Sequence, residues 1–289
     1  MIPKFFDTHT HFNFNAFKDD SQEAMKRSLD RDIWFINVAA EAKTAERAVK
    51  IAKDYERGVY ASVGLHPIHT FEDEFEEEVK GEKVKFVTRA EEFDLEFYSS
   101  LIDNNEKIVA IGETGLDYFH LKKFPEDQQQ ELRKKQQLVF SQQIELAISK
   151  DKPLILHCRS LEGFDAYEDM FSILAPAKKK NPKLRGVLHC FSADLAVMKK
   201  FLELGFHFGF NGVITFARNY DEPLKALPQD KILLETDSPW LTPIPYRGKR
   251  NESLYVPEVA KKIAELRGES WEEVSAYTTQ NALRLFEIN

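Results

Sequence analysis

The chain has 289 residues, of which 43% are hydrophobic, and a formal net charge of −8. This length and composition predict one domain with a large core, spanning residues 1–289. The negative charge argues against an extended duplex-binding surface, which usually carries a basic stripe. No apolar stretch approaches the roughly 20 residues of a membrane helix, and the N-terminus lacks a signal-like pattern. We therefore predict a cytoplasmic protein that does not contact a membrane.

Short apolar runs alternate with helical stretches along the chain. We predict strands at 4–10, 33–39, 59–65, 107–112, 153–158, 186–191, 206–211 and 231–237. Because these runs are apolar on both faces, they are typical of parallel strands covered by helices. Eight such strands predict an α/β protein with a (β/α)8 TIM barrel.

Helical periodicity separates several of these strands. It predicts helices over 43–56, 126–150, 194–204, 256–267 and 270–287. In segment 126–150 we assign the glutamines, lysines and glutamates to the face away from the core. Gly268 suits the stop between the last two helices.

Residues 67–98 form an acidic insertion after the third predicted strand. Between Glu72 and Glu96 there are eleven acidic and four basic residues. The insertion is either a lid or a solvated surface excursion, and charge runs of this kind usually face water. Residues 84–87 are compatible with a short extra strand.

Side chains suited to metal binding follow several predicted strands. His9 and His11 are two residues apart, so in a strand they point to the same side. A solvated strand end is the alternative for this pair alone. However, four further residues also end apolar runs: Glu113, His157, His189 and Asp237. Since active sites of such barrels lie where the strands end, we predict that all six meet at one rim.

Several short motifs occur together in this order: Asp7–His11, Gly64–Pro67, Gly112–Tyr118, His157–Arg159, His189–Ser192 and Glu235–Leu241. In combination they resemble the TatD family of metal-dependent deoxyribonucleases, which belongs to the amidohydrolase-like barrels. The resemblance runs from residue 5 to about residue 287. Three departures are Ala193 in place of the usual glycine, Ser253 in place of the usual proline, and the acidic insertion.

The resemblance implies two divalent ions per subunit. His9 and His11 would bind one ion and His157 and His189 the second, while Glu113 bridges both. Asp237 would complete the first site. Imidazoles and carboxylates suit Zn²⁺ or Mn²⁺, and Mg²⁺, which prefers oxygen ligands, is the third candidate.

Two of these acids also receive a catalytic role. A divalent metal makes a water molecule acidic enough to yield hydroxide near neutral pH, and Asp237 can take its proton. Glu113 contributes by holding the ions together. Asp7 and Glu235 lie two residues before a predicted ligand, on the same strand face but deeper in the barrel, and are expected to have a supporting hydrogen-bond role rather than to bind a metal.

Three further residues are expected to orient groups or to contact a substrate phosphate. His66 is followed by a proline that would hold its imidazole at the rim, and a structural histidine is the alternative. Arg159 has a planar fork that fits a phosphate, and a salt bridge to Asp117 or Glu235 is the competing use. Asp117 is expected to orient such a partner.

The loop at residues 247–252 places three cations beside the predicted rim. We expect Arg247 and Lys249 to contact phosphate, with a solvated loop as the alternative.

These features favour a metal-dependent hydrolase that cleaves phosphodiester bonds in DNA. The resemblance implies a 3′ to 5′ exonuclease on single strands, active in DNA catabolism or in repair at abasic sites, and we expect a monomer. One alternative is an amide, ester or lactone hydrolase of the amidohydrolase superfamily. Another is a non-catalytic, metal-dependent nucleic-acid binder.

Overall fold

The computed structural model describes residues 2–79, 82–103 and 105–289. Eight parallel strands form one sheet that curls into a barrel, which confirms the predicted (β/α)8 fold. In sheet order they are β1 (Phe5–Thr10), β2 (Ile33–Asn37), β3 (Val59–Val63), β6 (Ile108–Asp117), β7 (Leu154–Arg159), β8 (Gly186–Leu188), β9 (His207–Phe210) and β10 (Ile232–Leu234). The remaining described strands, β4 (Glu72–Val79) and β5 (Glu82–Arg89), pair with each other outside the barrel.

Backbone contacts between β1 and the segment after β10 close the barrel. The amide of Asp237 donates to the carbonyl of His9 at 2.9 Å, and the amide of His11 donates to the carbonyl of Ser238 at 2.9 Å. Thr10 and Ser238 form a parallel bridge. Closure therefore occurs at the carboxyl end of the strands, beside the predicted metal-binding residues.

Helices follow most of the barrel strands. The described helices are α1 (Ser21–Leu29), α2 (Ala42–Lys53), α3 (Leu95–Ile102), α4 (Glu126–Ser149), α5 (Ala166–Lys180), α6 (Leu195–Glu203), α7 (Asp221–Ala226), α8 (Val256–Arg267) and α9 (Trp271–Leu285). Gly268 ends α8 with φ of +69°, a left-handed conformation that glycine adopts without strain. The Ser270 hydroxyl then caps α9 by accepting from the amide of Glu273, and the Ser270 amide donates to the Glu273 carboxylate.

Most of the hydrophobic core lies between the barrel and its helices. A second cluster joins side chains of the strands, among them Phe6, Ile155 and Leu233, with Phe286 just after α9. The rings of Phe6 and Phe286 stack with their centroids 6.4 Å apart. The chain's C-terminal end therefore packs against the strands.

Several predicted strand ends were wrong. The strands predicted at 186–191 and 231–237 end at Leu188 and Leu234, so His189 and Asp237 lie in the loops that follow. The backbone leaves the extended conformation there, and Asp237 has φ of +57°. Conversely, β6 continues past the predicted end at 112 and includes both Glu113 and Asp117.

The assignment of every glutamine in α4 to the outer face was also wrong. Gln136 and Gln143 are buried. The Gln136 amide bonds both backbone groups of Asp117, at 2.8 and 2.9 Å, and Gln143 does the same for Leu65, at 2.9 Å each. These side chains satisfy backbone groups that would otherwise be buried without partners.

The acidic insertion contains a β-hairpin formed by β4 and β5. The predicted extra strand at 84–87 lies within β5, while residues 80 and 81 of the insertion lie outside the described residues. Phe75 and Phe86 stack with ring centroids 5.0 Å apart, and Phe75 is buried. On the exposed face Glu76 lies opposite Lys85. The hairpin therefore packs one face on the protein and pairs part of its negative charge across the strands.

Candidate metal centre

The two histidines at the end of β1 meet at one point. Their Nε2 atoms lie 3.1 Å apart, and both rings are buried. The Nδ1 atom of His11 lies 2.9 Å from the carbonyl oxygen of Val38, which accepts a hydrogen bond only from a protonated nitrogen. A neutral His11 ring therefore keeps its lone pair on Nε2, the tautomer of many metal-binding histidines. Burial lowers the pKa of His9 to about 4, so the His9 ring is neutral at neutral pH.

The carboxylate of Glu113 lies between two groups of histidines. Its Oε2 atom is 3.3 Å from His9 Nε2. Its Oε1 atom is 3.0 Å from His157 Nδ1 and 3.7 Å from His189 Nε2. Burial would raise the pKa of Glu113, but the surrounding imidazoles hold it well below its usual range. The ionised side chain thus presents one oxygen to each group, as a bridge between two cations requires.

His157, in β7, is held by carboxylates on both of its nitrogens. Nε2 lies 2.8 Å from Asp117 Oδ2, while Nδ1 faces Glu113. Burial would lower the pKa of His157, but the two carboxylates raise it to about 9. Gly115, with φ of +137°, allows β6 to pass this close, because a Cβ there would collide with the His157 carbonyl.

His189 stacks on His9 with ring centroids 3.5 Å apart. Its Nδ1 atom lies 3.0 Å from Glu235 Oε1, and its Nε2 atom faces Glu113. Burial would lower the pKa of His189, but these two carboxylates raise it to about 10. The negative field that favours a proton here equally favours a metal cation.

Glu235 follows β10 and is fully buried. Its Oε1 atom accepts from the amide of Cys190 at 2.7 Å and from the side chain of Asn211 at 3.2 Å. A Cβ at Gly209 would collide with the carboxylate, so the glycine makes room for it. These contacts fix Glu235 beside the His189 ring.

Asp237 faces three of the imidazoles. Its Oδ1 atom lies 3.5 Å from His11 Nε2, 3.8 Å from His9 Nε2 and 4.0 Å from His189 Nε2. The Asp237 side chain is 15% exposed, against 6% for Glu113. Burial would raise the pKa of Asp237, but the hydrogen bond to His11 and the nearby histidines lower it, so the carboxylate stays ionised.

Asp7 supports the backbone of the site. It is fully buried and accepts from the amide and hydroxyl of Thr236, at 2.9 and 2.6 Å, and from the hydroxyl of Ser253 at 2.5 Å. It also accepts from the amide of His9 at 3.2 Å. Burial raises the pKa of Asp7 to about 7 despite these bonds. The contacts tie β1 to the segment after β10, and Ser253 contributes one that a proline there could not.

His66 lies inside the site. Its Nδ1 atom accepts from the amide of Ile68 at 3.2 Å, so a neutral ring carries its proton on Nε2. That Nε2 atom is 3.4 Å from Glu113 Oε1. The His66 ring also meets the His157 ring edge-on, with centroids 4.3 Å apart. His66 therefore offers a hydrogen-bond donor toward the centre.

Arg159 is exposed at the end of β7. Its guanidinium lies 3.7 Å from the centroid of the Phe119 ring. Within the described residues it forms no ion pair, and the two carboxylates considered as alternative partners, Asp117 and Glu235, bond histidines instead. Stacking on Phe119 leaves the edge of the guanidinium available.

The two predicted cations of the 247–252 loop are also exposed and lie over rings. The guanidinium of Arg247 is 4.1 Å from the centroid of Phe216, which is 40% exposed. The ammonium of Lys249 is 5.6 Å from the centroid of Tyr246.

We expected the third cation of this loop, Arg250, to lie beside the rim, but it is part of a buried ion-pair network instead. Arg250 is buried and pairs with Asp20 at 2.6 Å and with Glu252 at 3.1 Å. The sequence pattern could not separate this structural arginine from its exposed neighbours, because Asp20 is 230 residues away along the chain.

Sequence reasoning missed two polar residues at the site. His120, half-buried, donates its amide to Asp117 Oδ1 at 3.0 Å, and its Nδ1 atom lies 2.9 Å from Asp117 Oδ2. Asn211 is buried and bonds Glu235. The only signal for either was its position just after a strand.

The donor atoms fit metal cations. Three overlapping groups bring ligand-type atoms within 4.8 Å of one another: His9, His11 and Asp237; His9, His189 and Glu235; and His66, Glu113 and His157. Imidazole nitrogens and ionised carboxylates converge here among buried side chains, and the carboxylates need a positive charge beside them. Protons on His157 and His189 supply that charge, and a metal cation can take their place. The protein therefore contains histidine and carboxylate groups able to bind metal.

Comparison with known proteins agrees with this chemistry. The family model described as TatD related DNase matches residues 6–287. The chain belongs to this family. The metal-dependent hydrolase YabD of Bacillus subtilis strain 168 is 37% identical over 287 residues, covering 98% of this chain and 99% of that protein. The 3′-5′ ssDNA/RNA exonuclease TatD of Erwinia tasmaniensis is 30% identical over 292 residues, covering 98% of this chain and 100% of that protein.

A solved structure supports the same assignment. The TatD homologue YJJV of Escherichia coli K12 matches with a TM-score of 0.80 and 28% identity, covering 100% of both chains. The chain is thus a TatD-family metal-dependent hydrolase with a TIM-barrel fold. In its described residues, every helix is too short or too polar to cross a bilayer.

Proposed function

We propose that this hydrolase uses two divalent ions to cleave phosphodiester bonds in DNA, removing nucleotides from 3′ ends. The proposal depends above all on the position of the Glu113 carboxylate, because one of its oxygens faces His9 and the other faces His157. The name of the Erwinia tasmaniensis relative, a 3′-5′ ssDNA/RNA exonuclease, supports the substrate class.

The residues divide into two sets around Glu113. His9, His11 and Asp237 would hold one ion, and His157 and His189 the other. Zn²⁺ or Mn²⁺ suits this histidine-rich set, with Mg²⁺ as a third candidate. Bound ions would polarise the phosphate oxygens and lower the pKa of an attacking water.

Asp237 would accept the proton of the attacking water. Its carboxylate stays ionised, and its side chain, 15% exposed, is more accessible than that of Glu113, the other acid in the ligand set. Because Oδ1 faces the histidines, Oδ2 is the oxygen left to take the proton. Glu113, buried between the histidines, would keep the two ions together.

His66 would donate a hydrogen bond to a phosphate oxygen. Its Nδ1 atom is already an acceptor, so Nε2 carries the proton and has no lone pair to give to a metal. Its position against Glu113 places that donor beside the ions rather than on them.

Arg159, Arg247 and Lys249 would bind flanking phosphates. The rings of Phe119 and Phe216 hold the two guanidinium groups, so less side-chain entropy is lost when phosphate binds. Asp117 and Glu235 would support the imidazoles of the second ion, and Asp7 the backbone of the first.

The test is a product ladder from end-labelled oligonucleotides. Chelator-stripped protein is reloaded with Zn²⁺, Mn²⁺ or Mg²⁺ and given single-stranded and duplex DNA, alongside a panel of carboxylic esters, amides and lactones. We expect metal-dependent, stepwise shortening from the 3′ end of single strands. Turnover of the esters, amides or lactones without DNA cleavage would instead indicate the wider amidohydrolase chemistry. A monomeric state, a cytoplasmic location, a role in DNA repair and the action of residues 1–289 as one unit stay predictions.

A further inference from the structure

We propose that the acidic hairpin helps to build the metal centre, because Phe75 and His120 act through Asp117 to position the imidazole of His157. This inference rests on the proposed two-ion function. It gives the insertion a role in metal binding, and it makes His120 and Phe75 positioning residues that touch neither ion.

His120 controls the orientation of Asp117. The Asp117 carboxylate receives the His120 amide on Oδ1 at 3.0 Å, and His120 Nδ1 lies 2.9 Å from Oδ2. The same Oδ2 atom lies 2.8 Å from His157 Nε2. Gln136 fixes the backbone of Asp117, while His120 and His157 contact its carboxylate. Asp117 can therefore hold a proton of His157 on Nε2, which would leave Nδ1, the nitrogen on the Glu113 side of the ring, to bind an ion.

The hairpin packs directly on His120. Phe75 meets the His120 ring edge-on, with centroids 5.2 Å apart and an interplanar angle of 77°. Phe86 stacks behind Phe75 at 5.0 Å. Phe75 is only 9% exposed, so its ring lies on the buried side of the hairpin. There it packs against His120 and holds that ring next to Asp117.

Three further contacts join the hairpin, or the residue before it, to the short turn that carries His120, Phe119–Lys123, or to the residue after that turn. Lys123 forms an ion pair with Asp73, and its ammonium lies 4.6 Å from the centroid of Phe75. Phe71, just before β4, packs edge-on against Phe124 at 5.5 Å. The turn is therefore attached to the hairpin at three successive points of β4 and its approach, all within the described residues.

The effect on metal binding should be large enough to measure. Replacing groups that hydrogen-bond a metal-binding histidine typically costs about 10 to 100-fold in metal affinity. His120 acts one step further out, so we expect roughly a tenfold loss for His120→Ala at one of the two ions. Phe75→Ala should cause a smaller loss in the same direction.

The experiment titrates Zn²⁺ into chelator-stripped, full-length protein in competition with a chromogenic chelator. Wild type should bind two ions. His120→Ala should weaken one ion and leave the other unchanged, while His120→Asn, which keeps a side-chain donor for Asp117, should recover part of the affinity. His207→Ala is the matched control, because His207 starts β9 at the opposite end of the barrel. Val87→Ala, on the exposed face of the hairpin, controls for Phe75→Ala.

The outcomes separate this inference from the proposed function. Two ions bound with wild-type affinity in His120→Ala would overturn the inference alone. Equal weakening of both ions, together with a lower melting temperature, would also overturn it, since that marks general destabilisation. Fewer than two ions in the wild-type protein would overturn the two-ion function and the inference together.

Discussion

Replacing Glu113 with glutamine is the sharpest single change to this site, because it keeps the shape of the side chain and removes its charge. In the native protein each oxygen serves a different group of histidines, at 3.3 Å and 3.0 Å. The glutamine amide has one oxygen, which can face one group of histidines. Its NH2 group then faces the other group of histidines and cannot bind a cation there. Glu113→Gln should therefore fail to hold two cations.

The size of the effect follows from the lost charge. A divalent ion that faces one carboxylate oxygen, which carries about half of the unit charge, interacts with it about as two unit charges do, by about 4 kcal/mol at about 4 Å and an effective dielectric constant of about 20. Since every 1.4 kcal/mol is about tenfold in an equilibrium constant, the affinity for the more weakly held ion should fall by about a thousandfold. Turnover should fall at least as far at ion concentrations that saturate the wild type.

The assay combines the metal content of dialysed protein with the rate of release of labelled nucleotides. Glu162→Gln is the matched control, because Glu162 is an exposed glutamate on the loop after β7. Its metal content and rate should equal those of wild type, and both variants should melt within a few degrees of wild type. If Glu113→Gln keeps two ions and at least half of the wild-type rate, the bridging role is wrong.

Three further changes test other parts of the structure. His157→Ala should abolish hydrolysis while circular dichroism and the melting transition show an intact barrel; unchanged turnover would refute a role for this imidazole. Arg159→Gln should weaken single-stranded DNA binding and make its dependence on log salt shallower by about one unit, as expected for the loss of one phosphate contact; an unchanged slope would return Arg159 to the solvated surface. Gln143→Leu should lower the free energy of unfolding in urea by about 1 to 3 kcal/mol, because both backbone groups of Leu65 lose their partner. Gln130→Leu, on the exposed side of the same helix, should change it by less than about 0.5 kcal/mol, and equal effects of the two would contradict this explanation.

The barrel could be predicted because its strands have a local signature. Each is a short apolar run, and the parallel arrangement places every strand end at one rim. Proximity of His9 to Glu113 therefore followed from topology, without any knowledge of distances. The exact ends of the strands could not be predicted. The residue types before and after Leu188 and Leu234 do not show where the backbone leaves the extended conformation.

Other features depend on partners far away in the sequence. Gln136 in α4 looks like a surface residue until the Asp117 backbone is placed beside it. Arg250 and Arg247 lie in the same basic loop and cannot be told apart from the sequence. Only Arg250 is buried in an ion pair with Asp20. His120 gains its importance only from the hairpin that packs on it. Such residues can be recognised only when the fold has brought their partners together.

The most direct test of the metal centre is a crystal structure of the protein soaked in Mn²⁺, with anomalous scattering used to locate the ions. Two peaks should appear, one contacted by His9, His11 and Asp237 and one by His157 and His189, with Glu113 contacting both. A map with no peak among these side chains, from crystals in which the soaked ion is seen elsewhere, would contradict the central claim.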